Sequence, residues 1–266
     1  MSDEIPGLDL SRLAALRSGV VGVRISYEQE LGSTMDEAHR LAEEGATEGL
    51  VVIAEQQTKG RGRFERTWIS TPGLDLTFSV LLRPAADQLR MVNMAATMAV
   101  QDTALALTNK GAVIKWPNDV LVSGRKLSGI LVESVTSPSG GLQYAVIGVG
   151  LNVNLRPDER PEIRDIATSL AQESGADLDR TAVLIDVLAR LDEYYAAIRV
   201  GQDLSERWAE RLDTIGRYVD VNWGGRTVSG RATGVDRDGN LLIESEGQIT
   251  TVVAGEVTLR RAPGNR

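Results

Sequence analysis

Six short apolar runs crowd residues 50–154, and that crowding limits the fold more than any other feature. They are LVVIAE (50–55), LDLTFSVLLRP (74–84), AVIKW (112–116), DVLV (119–122), KLSGILVESV (126–135) and LQYAVIGVGLNVN (142–154). Runs of this length, bounded by Gly, Pro, Asn or Ser, read as strands of a well-covered sheet. VGVRISYEQ (21–29) adds a strand by alternation. Residues 87–108 are the longest helical pattern, with Asn109-Lys110-Gly111 as the stop. Residues 8–18 read as a short helix ended by Gly19, and MDEAHRLAEEG as a helix N-capped by Ser33 or Thr34. Residues 181–199 and 204–213 are helical by periodicity, and 155–180 read mostly as loop. From about residue 216 the character changes. RYVDVNW, RTVSGRATGV, NLLIES and ITTVVAGEVTLR are short strands separated by Gly turns, including Asp238-Gly239, the pattern of a small β-barrel. The expectation is an α+β chain, a mixed β-sheet flanked by helices over 1–215 and a β-barrel over 216–266.

Composition narrows the function. Lys and Arg number 29 against 37 Asp and Glu, a formal charge of −8, which argues against broad nucleic-acid binding. There is no cysteine, so disulfides, thiolate nucleophiles and Cys-ligated metals are excluded. The one histidine, His39, cannot build a His-ligated site alone and reads as an ordinary helix position. No run is long and apolar enough for a membrane span, and the N-terminus lacks an apolar signal region. A cytoplasmic protein without membrane or nucleic-acid partners is expected.

Four polar breaks between apolar runs could carry chemistry: Ser33-Thr34, the stretch KGRGRFERTW (59–68) with Gln57 before it, KWPND (115–119) and RKLSG (125–129). In the second, Gly60 and Gly62 permit close backbone approach while Arg61, Arg63 and Arg66 offer forked donors to phosphate or carboxylate. An exposed basic turn is the plainer alternative. No Walker loop is present, and GVGLNV (148–153) lacks the third glycine of a dinucleotide fingerprint. In KWPND, Pro117 makes a stiff corner with Lys115, Asn118 and Asp119 around it, or a turn that merely caps itself. Lys126 begins the next strand and alone could be a solvated edge lysine.

Taken together and in order, GRGRFERTW, KWPND, RKLSGILVE and VIGVGLNVN resemble the signature stretches of biotin protein ligases, from Ser33 to the chain end. The resemblance implies a class II synthetase-like catalytic domain followed by an SH3-like barrel. It implies activation of biotin by ATP to biotinyl-5′-AMP, with Mg²⁺, then transfer to a lysine of a biotin carboxyl carrier domain of acyl-CoA carboxylases. By matching position, Ser33, Thr34 and Gln57 would hold the ureido ring, and Arg61, Gly62 and Arg63 would form the biotin and adenylate loop. Lys126 would contact the biotin carboxylate and reacting phosphate, with Lys115 and Asn118 near the phosphate and metal. Arg66 and Trp68 would close over the adenylate, Asn152 would contact the nucleotide, and Gly129 and Ile130 would wall the apolar pocket. Asp119 is a candidate base or orienter for the acceptor lysine. Metal ligands are not identified.

Two departures stand out. Glu65 occupies a position often glycine in such proteins, leaving residues 59–68 with four cations and one carboxylate; a loop loosely held by self-repulsion until ligands arrive is expected. Only 32 residues precede Ser33, too few for the DNA-binding domain some relatives carry, so no repressor function is expected. Rival readings are a lipoate ligase, a nucleic-acid-binding protein using the GRGR loop, and a scaffold whose barrel is an interaction module.

Overall fold

The computed structural model describes residues 7–16, 19–64 and 66–260. Seven strands form the first sheet: β1 (Arg24–Leu31), β2 (Leu50–Gln57), β3 (Leu76–Leu82), β4 (Ala112–Lys115), β5 (Asp119–Val122), β6 (Arg125–Thr136) and β7 (Leu142–Leu151). Their order is β1-β2-β3-β7-β6-β5-β4. β1 and β2 run parallel, and every other pair is antiparallel. The parallel pair needs a crossover, which is α2 (Thr34–Glu43). The sheet is therefore mixed, as expected.

Period-two alternation splits the packing between two faces. On β7, Ile147, Val149 and Leu151 join the larger core, with α3 (Leu89–Thr108) and α5 (Arg180–Arg199). Tyr144 and Val146 join a smaller cluster under Met35, Ala38 and Ala42 of α2. α3 is Ala- and Met-rich because it is buried on nearly all sides. It ends on Asn109 in the left-handed region (φ 51°). The second sheet, in order β11-β10-β9-β8-β12, comprises β8 (Tyr218–Trp223), β9 (Arg226–Val235), β10 (Leu241–Ser245), β11 (Gln248–Val252) and β12 (Glu256–Arg260). It packs on the first unit through Trp116, whose Nε1 donates to Gly239 O at 2.8 Å.

Boundaries moved where backbone groups found other partners. β1 starts at Arg24 because the N–H groups of Gly19, Val20 and Val21 donate to the Asp192 carboxylate at 2.6–2.8 Å. α1 spans only Leu10–Ala14, capped by Asp9; residues 17–18 lie outside the described part. The expected helix over 204–213 is α6 (Ser205–Ala209), after which Arg211 and Asp213 hydrogen-bond Ile114 and cover the β4 edge. β7 stops at Leu151, and the loop beyond contains a 3-10 turn (Pro157–Glu159) and the short helix α4 (Leu170–Ser174), capped by Ser169.

Among the described residues, one ion pair is buried on both sides. Arg180 grips Glu55 through both oxygens at 2.8 and 3.1 Å, with side chains 6% and 4% exposed. Tyr27 donates to the same carboxylate at 2.8 Å. Burial alone would push Glu55 up, but the donors from Arg180 and Tyr27 hold it below its usual value, and burial with the Glu55 charge drives Tyr27 to about 12. Removing one partner of such a pair leaves a buried charge without its counterion. Glu55→Ala is expected to lower the unfolding free energy by about 3–5 kcal/mol in urea titration; a loss below about 1 kcal/mol would contradict this role.

Candidate active site

The floor of the main cleft is made by absent side chains. Gly148 and Gly150 lie two apart on β7, on the face that carries α2. Across the ladder they pair with Leu131 and Gly129. A Cβ on Gly150 would stand 2.2 Å from the Trp68 indole, one on Gly148 2.6 Å from Met35 Sδ, and one on Gly129 3.1 Å from Lys126 Nζ. GVG is no phosphate fingerprint; its two glycines leave space for Trp68 over Gly150 and for Met35 over Gly148.

The polar end is set by the start of α2. Ser33 caps it, its Oγ accepting from Met35 N–H at 3.2 Å. Gln57 Oε1 accepts from both the N–H (2.8 Å) and hydroxyl (3.1 Å) of Thr34, and that hydroxyl also meets Ser79 Oγ at 2.8 Å. With its oxygen engaged, Gln57 keeps its amide N–H groups as donors. Both Ser33 and Thr34 are buried, so this arrangement is fixed by packing.

At the mouth, cations meet carboxylates from several elements. Lys126 Nζ pairs with Asp119 Oδ1 at 2.8 Å and sits 5.7 Å from the Trp68 ring centre. Arg63 donates to Asn118 Oδ1 at 3.1 Å and lies over Phe64 at 4.8 Å. Asn118 is itself held by Ile130, donating to its carbonyl at 2.6 Å and accepting its N–H on the main-chain oxygen at 3.0 Å. Burial lowers the Arg63 pKa from its usual value, against the charges of Asp119 and Glu256. Arg61 bridges Asp36 (2.7 Å) and Glu133 (3.3 Å), and Arg66 pairs with Glu256 of β12. Arg61 and Arg66 thus have carboxylate partners that the sequence reading did not foresee, while Arg63 rests on the Asn118 amide; Glu65 lies outside the described residues. His39, on α2 as expected, meets Glu133 at 3.1 Å and Tyr144 Oη at 3.3 Å.

Of the residues singled out from sequence, Ser33, Thr34, Gln57, Arg61, Gly62, Arg63, Arg66, Trp68, Lys115, Asn118, Asp119, Lys126, Gly129 and Ile130 all border this cleft. Asn152 does not. Its amide is spent on Thr168 O (2.9 Å), and its N–H donates to Leu127 O (3.0 Å), so it ties strands together behind the cleft. Ile130 borders the cleft, but its side chain belongs to the main core; strand alternation gives the wall position to Leu131. Met35, Gly148, Gly150, Gly255, Glu256 and Val257 also border it and were not foreseen. Two glycines two apart in a strand were a readable signal for the floor. Nothing local in Gly255–Val257 announces a site, because its role comes from tertiary packing.

An apolar floor, an amide-and-hydroxyl end and a cationic mouth suit a small amphipathic acid brought against a phosphate, the site of an acid-activating ligase. Residues 27–152 match the biotin/lipoate A/B protein ligase family, and 214–260 match the biotin protein ligase C-terminal domain. The biotin–[acetyl-CoA-carboxylase] ligase of Mycobacterium tuberculosis is 34% identical, over 91% of this chain and 93% of that protein. A bifunctional ligase/repressor of Bacillus spizizenii is 33% identical over 92% of this chain and 76% of its own. The Aquifex aeolicus biotin protein ligase solved with biotin and ATP superposes with a TM-score of 0.75 at 31% identity, covering 90% of this chain and all of the other. The chain belongs to the biotin protein ligase family, and its fold is the family's mixed catalytic sheet with an SH3-like C-terminal unit.

Behind the Trp68 loop, Asp75 is 4% exposed; one oxygen accepts from Thr71 N–H at 3.0 Å and the other has no protein partner. Burial pushes it to about 6 despite the N–H donors of Thr71 and Val153. The folded value lies above the unfolded one, so below about pH 6 the folded state binds the extra proton, and this group's penalty grows as pH rises through about 6. Asp75→Asn, which keeps an acceptor without charge, is expected to melt at or above the parent temperature at neutral pH. The gain should shrink towards acid; a lower melting temperature at neutral pH would contradict this.

Proposed function

We propose that this ligase activates biotin with ATP to biotinyl-5′-AMP and pyrophosphate, then transfers biotin to one lysine of a carboxylase biotin carrier domain, releasing AMP. The carrying observation is Lys126 at the junction of apolar floor and cationic mouth, beside Asp119 and under Trp68. Ser33, Thr34 and Gln57 would take the ureido ring, and Gly129 and Leu131, together with the Trp68 indole that Gly150 seats, would wall the apolar part. Lys126 and Arg63 would offset repulsion between the biotin carboxylate and the α-phosphate, as donors placed where charge builds. Arg61 and Gly62 would shape the loop over the acyl group. Lys115, Asn118 and Arg66 would reach phosphate oxygens, and Trp68 would cover the adenylate.

No cluster of three His, Cys, Asp or Glu able to cage a metal occurs among the described residues. Magnesium normally arrives on the nucleotide phosphates and takes only one or two protein carboxylates. Asp119 and Glu256 reach the cleft and fit that need. When bound, Mg²⁺ would neutralise phosphate charge and ease pyrophosphate departure. In the transfer step Asp119 would orient or deprotonate the acceptor amine. Hydrogen-bond donors at Gln57 favour biotin over a dithiolane acid, which has no ring group to accept them. No helix among the described residues is long and apolar enough to cross a membrane.

The deciding experiment is mass spectrometry of a biotin carrier domain incubated with the protein, biotin and MgATP; one added biotin is expected, and none would overturn the assignment. Lys126→Ala should reduce biotin-dependent ATP–pyrophosphate exchange at least ~100-fold in a protein that melts as the parent does. Near-normal exchange would remove Lys126 from the chemistry. Arg63→Gly should let the adenylate escape, read as biotin on bystander lysines of an added unrelated protein; strict acceptor selectivity would contradict that.

A further inference from the structure

Lys126 stands where its strand has lost regular neighbours. Along β6, Ser128 pairs with Val120 of β5, but Lys126 pairs with Leu121, so Leu127 is an extra residue. Such a bulge re-aims the side chain beside it and interrupts the ladder. On the other side β7 has already ended, since its last residue, Leu151, faces Ser128. Lys126 keeps its place opposite Leu121 of β5, but on its other side no β7 residue is left to take its main-chain groups.

Residues 166–168 take over. Lys126 N–H donates to Ile166 O at 2.8 Å, and Lys126 O accepts from Thr168 N–H at 2.9 Å. Both main-chain groups of Lys126 thus hang on a three-residue piece with no sheet of its own. That piece is anchored by Glu173, to which the Thr168 hydroxyl donates at 2.6 Å. The Glu173 side chain is 1% exposed and also accepts from Lys110 Nζ (2.8 Å), Ser123 Oγ (3.0 Å) and Arg125 (2.9 Å). It therefore grips the residue before Lys126 and the segment hydrogen-bonded across from it. Burial would raise the Glu173 pKa, but these donors and the Lys110 charge hold it at about 2. Its contribution is complete above the ordinary carboxyl range and is lost only as pH falls through about 2, so it stays in force at neutral pH.

We propose that Glu173, acting through Thr168, is a positioning residue that sets where the Lys126 ammonium stands in the activation step. Glu173 does not border the cleft, so its influence passes through the main chain. The inference rests on Lys126 acting in activation as assigned above. A displaced ammonium meets the developing charge less well, while the rest of the biotin pocket, built from β2, α2 and the part of β6 beyond the bulge, is unchanged. The loss therefore falls mainly on kcat, with only a small change in the KM for biotin through its carboxylate.

Three variants test this in the full chain, by biotin-dependent ATP–pyrophosphate exchange with melting temperatures measured alongside. Thr168→Val removes only the hydroxyl link, Glu173→Gln removes the charge, and Thr168→Ser restores the hydroxyl. Thr168→Val and Glu173→Gln are expected to lose roughly 10- to 100-fold in kcat, with biotin KM within about twofold, and Thr168→Ser to recover most of the rate. Should Glu173→Gln fail to fold, the two Thr168 variants decide alone. Parent-like kcat in folded Thr168→Val, a loss confined to KM, or no recovery in Thr168→Ser would overturn the inference. Lys126→Ala serves as control. If it stays active, the assignment of Lys126 falls; if it is inactive while Thr168→Val is normal, only the positioning role falls.

Discussion

Trp68 rests against the backbone of Gly150 with no room between them for a methyl group, and the geometry of the cleft follows from that contact. The indole is the far anchor of the loop that leaves β2 at Gln57. Once it is docked, the three arginines behind it are within reach of α2, the 115–119 corner and β12. The same contact places the indole face near Lys126. A side chain at Gly150 would lift Trp68 and with it the roof, so the glycine is a condition for the site although it can contact nothing by a side chain of its own.

The ion pairs divide by exposure, and the division matches what each must do. Glu55–Arg180 is buried on both sides, and the Glu173 carboxylate is buried beneath the partly exposed Lys110 and Arg125, so losing a partner at either place leaves a buried charge. Lys126–Asp119, Arg61–Asp36 and Arg66–Glu256 are partly open to solvent, with Lys126 38% and Arg66 63% exposed. Pairs of that kind are worth about 0–1 kcal/mol. An incoming carboxylate or phosphate can therefore take over these cations at little cost. In the free protein Arg61 and Arg66 are paired with internal carboxylates, which an arriving ligand anion would have to displace. Glu256 extends this to the C-terminal unit, which closes one side of the same cleft.

Much of this was legible in the chain because it depended on local rules. Ser33 as a cap, Asn109 as a left-handed stop and the apolar runs as strands all follow from backbone preferences, and the structure keeps them. The polar breaks converge because the strands bearing them share one sheet. What was not legible depended on neighbours distant in sequence. Nothing near Val21 says that Asp192 will claim its amide, and nothing near Asn152 says that its side chain will clamp Thr168 in place of facing the cleft. Ile130 and Leu131 differ only in strand parity, which a bulge at Leu127 resets. Glu173 looked like one more acid in a loop until three separated segments were seen to converge on it.

The central claim is that Lys126 and Arg63 exchange their protein partners for the anions of the reacting pair. A crystal structure of the protein with biotinyl-5′-AMP tests it most directly. The account predicts Lys126 Nζ released from Asp119 and, with the Arg63 guanidinium, within about 3 Å of the acyl-phosphate oxygens. If the ammonium still contacts Asp119 alone and the guanidinium faces solvent, the electrostatic account of this site is wrong.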